Sequence, residues 1–289
     1  MQDEIISWTW GGQAVPVAAT RLGTGPRALL LPALSSISTR AEMAPLQAIL
    51  AERFETLAVN WPGFGTADKT RMAWEPAGLT EFLAHVMRQE APAIIVAAGH
   101  AAGYVLRHVA AAPEAAPHLA LIAPTWRGPL PTMMRRRPGW LARVVGAVDM
   151  PGLGPLLYRL NLSDPVIRMM ARAHVYSDPA WLTPAGLAEK RRVARARAAR
   201  FASVRFVSGA LDPFDSGEAF RAAAAGLPRE RLQVIWGAEA PPKSRAEMEA
   251  LAEGTSTRPT VLPRGKLGLH EEFPAEVAAA ILSRLDEVR

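Results

Sequence analysis

Residues 93–103 read Ala93-Ile94-Ile95-Val96-Ala97-Ala98-Gly99-His100-Ala101-Ala102-Gly103, and residues 104–112 continue with helical spacing. Six consecutive apolar residues ending at a glycine are the pattern of a short strand buried on both faces. Glycines at 99 and 103 permit a sharp turn and a close approach of neighbouring chain. The stretch therefore predicts a strand, a tight turn and a helix, with Ala101 at the centre of the turn. A methyl group at that point can pack, but it cannot act as a nucleophile.

Working outward, the same alternation recurs on both sides. Residues 5–10 and 15–21 predict a hairpin turning at Gly11-Gly12-Gln13. Apolar runs at 28–32, 55–59 and 118–124 predict further buried strands, and residues 40–53 and 79–89 predict helices between them. Over 127–200 the alternation stops, and amphipathic helical pieces are broken by six prolines, from Pro138 to Pro184. It resumes with expected strands at 204–207, 232–236 and 259–262 and expected helices at 216–225, 244–253 and 274–288. Strands alternating with helices imply an α/β fold with a mostly parallel central sheet covered on both faces. The expected organisation is a core of residues 1–126 and 201–289 carrying a helical cap, residues 127–200.

The ordered motifs resemble the α/β-hydrolase superfamily over essentially the whole chain. Residues 99–103 occupy the place of its G-x-S-x-G nucleophile elbow, with Ala101 at the nucleophile position. Asn60-Trp61-Pro62-Gly63-Phe64-Gly65 is similar to its Asp-x-Pro-Gly-[Phe/His]-Gly turn. Gly209-Ala210-Leu211-Asp212-Pro213 is similar to its acid-bearing turn, and residues 264–274 to the loop that carries its histidine, here His270. The resemblance implies His270 as general base, oriented by Asp212 as in a Ser-His-Asp triad. Two expected strands lie between Asp212 and His270 where the family usually has one, so Glu239, in the turn Gly237-Ala238-Glu239-Ala240-Pro241, is the alternative acid. The resemblance also implies an oxyanion hole from the backbone of Ala102 with Ala33 or Leu34. That loop reads Pro32-Ala33-Leu34-Ser35 where His-Gly is common, so the Ala at 101 is one of several departures. The pocket expected under the cap takes Ser35, His100, Trp126, Trp140 and Tyr158, although His100 also reads as a structural residue of the elbow.

Composition narrows the remaining classes. The chain has 289 residues, no cysteine and a net charge of +6, which excludes disulfides and thiolate chemistry. Residues 127–200 hold 14 Lys+Arg against 4 Asp+Glu, so the positive charge is concentrated in the expected cap. A charge run is usually a solvated face; its functional counterpart is contact with an anionic membrane surface. No nucleic-acid motif accompanies the charge, and no phosphate loop, G-x-G-x-x-G or metal-ligand cluster is found, so neither nucleic acid, cofactor nor metal is expected. The start of the chain lacks a signal-peptide pattern and no run is long enough to span a bilayer, which makes a cytoplasmic protein the expectation. Three functions follow. The first is a family member without Ser-dependent hydrolysis that binds a small, largely apolar ligand, with base chemistry at His270 and Asp212 open to it. The second is an ester, amide or C–C hydrolase seen as a Ser→Ala variant. The third is a scaffold or peripheral-membrane protein acting through the basic cap. Oligomeric state is not legible.

Overall fold

The computed structural model describes residues 2–287. Its eight strands form one sheet: β1 (Gln2–Trp10), β2 (Gln13–Leu22), β3 (Arg27–Leu31), β4 (Glu55–Val59), β5 (Ile94–Ala98), β6 (His118–Ile122), β7 (Leu232–Gly237) and β8 (Thr260–Leu262). They lie in the order β1-β2-β4-β3-β5-β6-β7-β8. The β1–β2 hairpin and the β2–β4 pair are antiparallel, and every pair from β4 to β8 is parallel. The continuous apolar runs are the central strands, as a sheet covered on both faces requires; Leu29, Ile95, Val96 and Leu121 are fully buried.

Helices α1 (Ala44–Leu50), α2 (Pro76–Glu90) and α3 (Ala101–Val109) connect the first parallel strands. After β6 come α4 (Pro129–Met134), α5 (Leu141–Asp149), α6 (Leu153–Asn161), α7 (Asp164–Met170), a π-helical turn (Ala171–Val175), α8 (Pro184–Arg195) and α9 (Ala199–Val207). The chain then returns through α10 (Gly217–Ala225) to β7, and α11 (Pro242–Gly254), α12 (Leu269–Glu272) and α13 (Pro274–Glu287) complete the fold. The inserted helices have a small core of their own around Ile167, Ala171, Tyr176, Leu182 and Leu187. No helix among the described residues is long and apolar enough to cross a membrane. The last expected helical residue, 288, lies outside the described residues.

One sequence expectation is overturned. Residues 204–207 are not a strand but the end of α9, so the helical segment continues past residue 200. Four residues, Val204-Arg205-Phe206-Val207, are too few to separate period 2 from period 3.6. The wider stretch decides it: Phe201, Ala202 and Phe206 face the core, while Arg205 reaches sideways to both carboxylate oxygens of Asp149 at 3.0 and 2.7 Å. With that strand removed, only β7 and β8 stand between β6 and the loop of His270.

Candidate active site

The turn after β5 is built differently from the sequence expectation. The positive φ falls on Gly99, at +53°, and Ala101 opens α3 with no positive φ. The Gly99 carbonyl accepts hydrogen bonds from Ala102 N–H at 3.2 Å and Thr125 N–H at 3.1 Å. The turn thus closes as a helix start in which Gly99, and not Ala101, carries the positive φ. Gly99 is required here: besides its φ, a Cβ on it would sit 3.1 Å from the Cβ of Ala33. The loop after β3 therefore packs directly on the turn. Ala101 and Ala102 are completely buried, and the Ala102 N–H, an expected oxyanion donor, is already engaged by Gly99.

Asp212 does not partner His270. Its carboxylate accepts from Gly128 N–H at 2.7 Å and from Arg137 at 2.7 Å, and it lies 3.7 Å from His100 Nε2. His100 Nε2 donates to the Leu211 carbonyl at 3.2 Å, and Tyr104 donates to the same oxygen at 2.6 Å. The 211–212 turn is thus bonded beneath α3, and Pro213 comes so close that a Cβ on Gly103 would lie 2.9 Å from it. Burial raises the Asp212 carboxyl, against the opposing effect of His100 and Arg137, and lowers His100, which stays neutral at pH 7. The cluster anchors the start of the insertion to the sheet. The physical reason for the misassignment is α9: without a strand at 204–207, Asp212 stands at no strand end. His100 correspondingly belongs to this structural cluster, outside the expected pocket.

Glu239 does follow a strand end, that of β7, yet it is exposed and makes no bond to His270. Its carboxyl is held below the ordinary value by the neighbouring Ser177 hydroxyl and by Gly265 N–H at 3.4 Å. His270 sits in α12, completely enclosed, and neither ring nitrogen has a hydrogen-bond partner among the described residues. Burial lowers its pKa to about 4, with Lys190 adding to the depression and Glu271 opposing it. Neither acid expected from the sequence orients the histidine.

What encloses His270 is the insertion. Gly268 N–H donates to Val175 O at 2.9 Å and Leu267 N–H to His174 O at 3.2 Å. Glu272 accepts from the backbone of Ser177 and Asp178 at 2.8 and 2.7 Å, and Tyr176 donates to Glu271 at 2.7 Å. Lys190, buried in α8, pairs with Glu42 and lies 3.6 Å from Glu271. Burial alone would lower Lys190, but the two carboxylates outweigh it and hold the ammonium charged. In the sequence Lys190 is one residue of a basic run and reads as solvated; its burial, and that of Glu42, has no local sequence signal.

α9 closes the opposite side. Ser203 shares a hydrogen bond with Ser36, in the loop after β3. Ala202 packs on Gly63, where a Cβ would lie 2.8 Å from its own, and Phe206 stands edge-on to His100 with ring centroids 5.5 Å apart. Trp61 donates to the Pro32 carbonyl at 2.9 Å, so the 60–65 turn also supports that loop. Leu34 is buried, and Ser35 accepts from Ile37 N–H at 3.3 Å. Of the remaining expected pocket residues, Trp126 is committed to core packing against Phe220, and Trp140 is half exposed at the start of α5. Tyr158 lines a cleft within the insertion.

This sheet order, with a strand–turn–helix after β5 and a helical insertion after β6, matches a large enzyme class. The chain belongs to the α/β-hydrolase family: the family model described as "Alpha/beta hydrolase family" matches residues 28–280. Among solved structures it is similar to a thermophilic esterase from Thermogutta terrifontis, at 18% identity and a TM-score of 0.70 over 100% of this chain and 99% of that one. It is also similar to haloalkane dehalogenase DbeA from Bradyrhizobium elkani, at 14% identity and a TM-score of 0.69 over 99% of both chains. A hydrolase from Pseudomonas aeruginosa shares 17% identity and a TM-score of 0.70 over 97% of this chain and 98% of that one. At these identities the likeness is one of fold. Among curated proteins no sequence matches this chain.

Proposed function

We propose that this chain is a non-hydrolytic member of the family that holds a small, largely apolar ligand between the sheet and the insertion, acting as its cap, without forming a covalent acyl-enzyme. One observation carries the reading: Ala101 stands at the nucleophile position as the first residue of a regular helix, with no hydroxyl and no positive φ. The state of His270 supports it. An imidazole whose pKa lies near 4, with no carboxylate behind it, is a weak base at pH 7. Binding is therefore favoured over proton-transfer turnover, and Asp212 has no part in such chemistry because its oxygens are engaged elsewhere.

The test is Ala101→Ser, assayed with activated aryl esters and with a fluorophosphonate probe read by intact mass. The serine is expected to remain unlabelled, and kcat/KM to stay within about tenfold of the parent protein, a change of under about 1.4 kcal/mol in barrier. Stoichiometric labelling together with a rise of about a thousandfold or more, roughly 4 kcal/mol of barrier, would instead identify a hydrolase lacking only its nucleophile.

A further inference from the structure

Helix α6 is turned inside out. Leu153, Leu156, Leu157 and Leu160, at helical spacing i, i+3, i+4 and i+7, form one stripe, and all four face solvent, Leu160 at 61% exposure. The opposite face, with Pro155, Tyr158 and Arg159, lines a cleft of about 950 Å³ that also takes Arg191, Arg195 and Arg200. Amphipathic helices of globular proteins point their apolar stripe at the core; here the inward side offers Gly154, Pro155 and Tyr158 while the leucines face out. Met150, just before α6, and Met169, on α7, are also more than half exposed. Apolar surface of this kind marks a contact with another apolar phase.

Charge decides which one. The insertion carries a large excess of arginine, and its few carboxylates are mostly spent: Asp149 on Arg205, Asp164 on Arg191 and Glu189 on Arg192. Arg159 and Arg195 have no acidic partner among the described residues. A second copy of the chain would bring one strongly positive insertion against another, which opposes self-association. A nucleic acid would satisfy the arginines and leave the leucines in water. An anionic lipid surface accommodates both, with leucines in the acyl boundary and the positive charge of the insertion drawn to the negative surface.

We infer that the insertion docks on anionic bilayers through the outward face of α6, the leucine stripe entering the interface and the net positive charge of the insertion favouring negative headgroups. This surface is independent of the ligand reading above and holds whether or not that reading survives.

The experiment is co-sedimentation of the full chain with extruded vesicles of phosphatidylcholine alone or mixed with phosphatidylglycerol at about 3:1, at low and high salt. The protein is expected to pellet with the mixed vesicles at low salt, at least about tenfold more than with phosphatidylcholine alone, and to be released at high salt. Leu156→Asp with Leu160→Asp, both exposed, should abolish sedimentation while the thermal midpoint and circular dichroism stay unchanged. Arg159→Glu with Arg195→Glu should weaken it and flatten the salt dependence. The inference is overturned if mixed vesicles pellet no protein, or if the leucine variant binds like the parent. It is equally overturned if sedimentation velocity shows a dimer that the leucine variant dissociates, since the stripe would then be a self-interface.

Discussion

Replacing Lys190 by methionine is expected to destabilise the folded chain by about 3–5 kcal/mol, measured as a drop in the urea midpoint. Lys190 is buried in α8 between Glu42, which precedes α1, and Glu271, which adjoins His270. Methionine fills a similar volume, so the loss is electrostatic. Buried Glu42 and half-buried Glu271 would be left with no cation between them, and Tyr176 alone would still reach Glu271. Adding Glu42→Gln to Lys190→Met removes one of those stranded charges and should recover a substantial part of the loss, a coupling that a cavity effect would not show. A loss below about 1 kcal/mol would mean that water reaches the cluster. Because the cluster joins the insertion to the loop of His270, the same variant should expose amides of residues 264–273 to hydrogen exchange well before global unfolding.

The second large effect is acid sensitivity. The His270 pKa of about 4 in the folded state lies below its ordinary value of 6.5. Between those values the unfolded chain binds the proton and the folded one does not, so folding stability falls as pH drops through that window. The full contribution is present above pH 6.5 and about 3 kcal/mol is lost on reaching pH 4. Glu42 and Asp212, both raised by burial, titrate in the opposite sense, so the total slope does not isolate the histidine. The difference between the parent and His270→Leu does. Urea titrations of both at pH 7 and pH 4.5 should show the variant losing markedly less stability. Parallel pH profiles would place His270 in contact with water.

The frame of this fold is legible in the sequence because its signal is local. Runs such as Ala28–Leu31 and Ile94–Ala98 are apolar at every position, and only a doubly covered strand uses such a run. The failure at 204–207 is equally local: two apolar residues flanking an arginine suit a strand edge and a helix alike, and only the contacts of Phe206 and Arg205 distinguish them. The turn at Asp212 resembles an acid-bearing turn only through the strand expected before it, and α9 occupies that place. His270 stands out in the sequence through its position just before the last helix, and the structure has it in α12, directly before α13. Its isolation could not be read, because it arises from Lys190, Tyr176 and the 174–178 backbone, all far away in the chain. The same holds for α6. Its leucine spacing is visible in the sequence, but only the structure shows which face is turned to water.

The buried cluster also sets a timetable. Its three charged members come from the first sixth of the chain, from the insertion and from near the end. During synthesis Glu42 and Lys190 are made long before Glu271, and the loop that carries Glu271 supplies the carbonyl-facing N–H groups that fasten residues 174 and 175. Until those last residues leave the ribosome, the insertion has its small internal core but no completed seat on the sheet. Long-range closure of this kind comes late in folding. The segment around Glu271 therefore acts as a late stitch of the molecule, and a nascent chain stalled before residue 271 would hold its leucine-bearing insertion without the contacts of Lys190 and Tyr176 to Glu271.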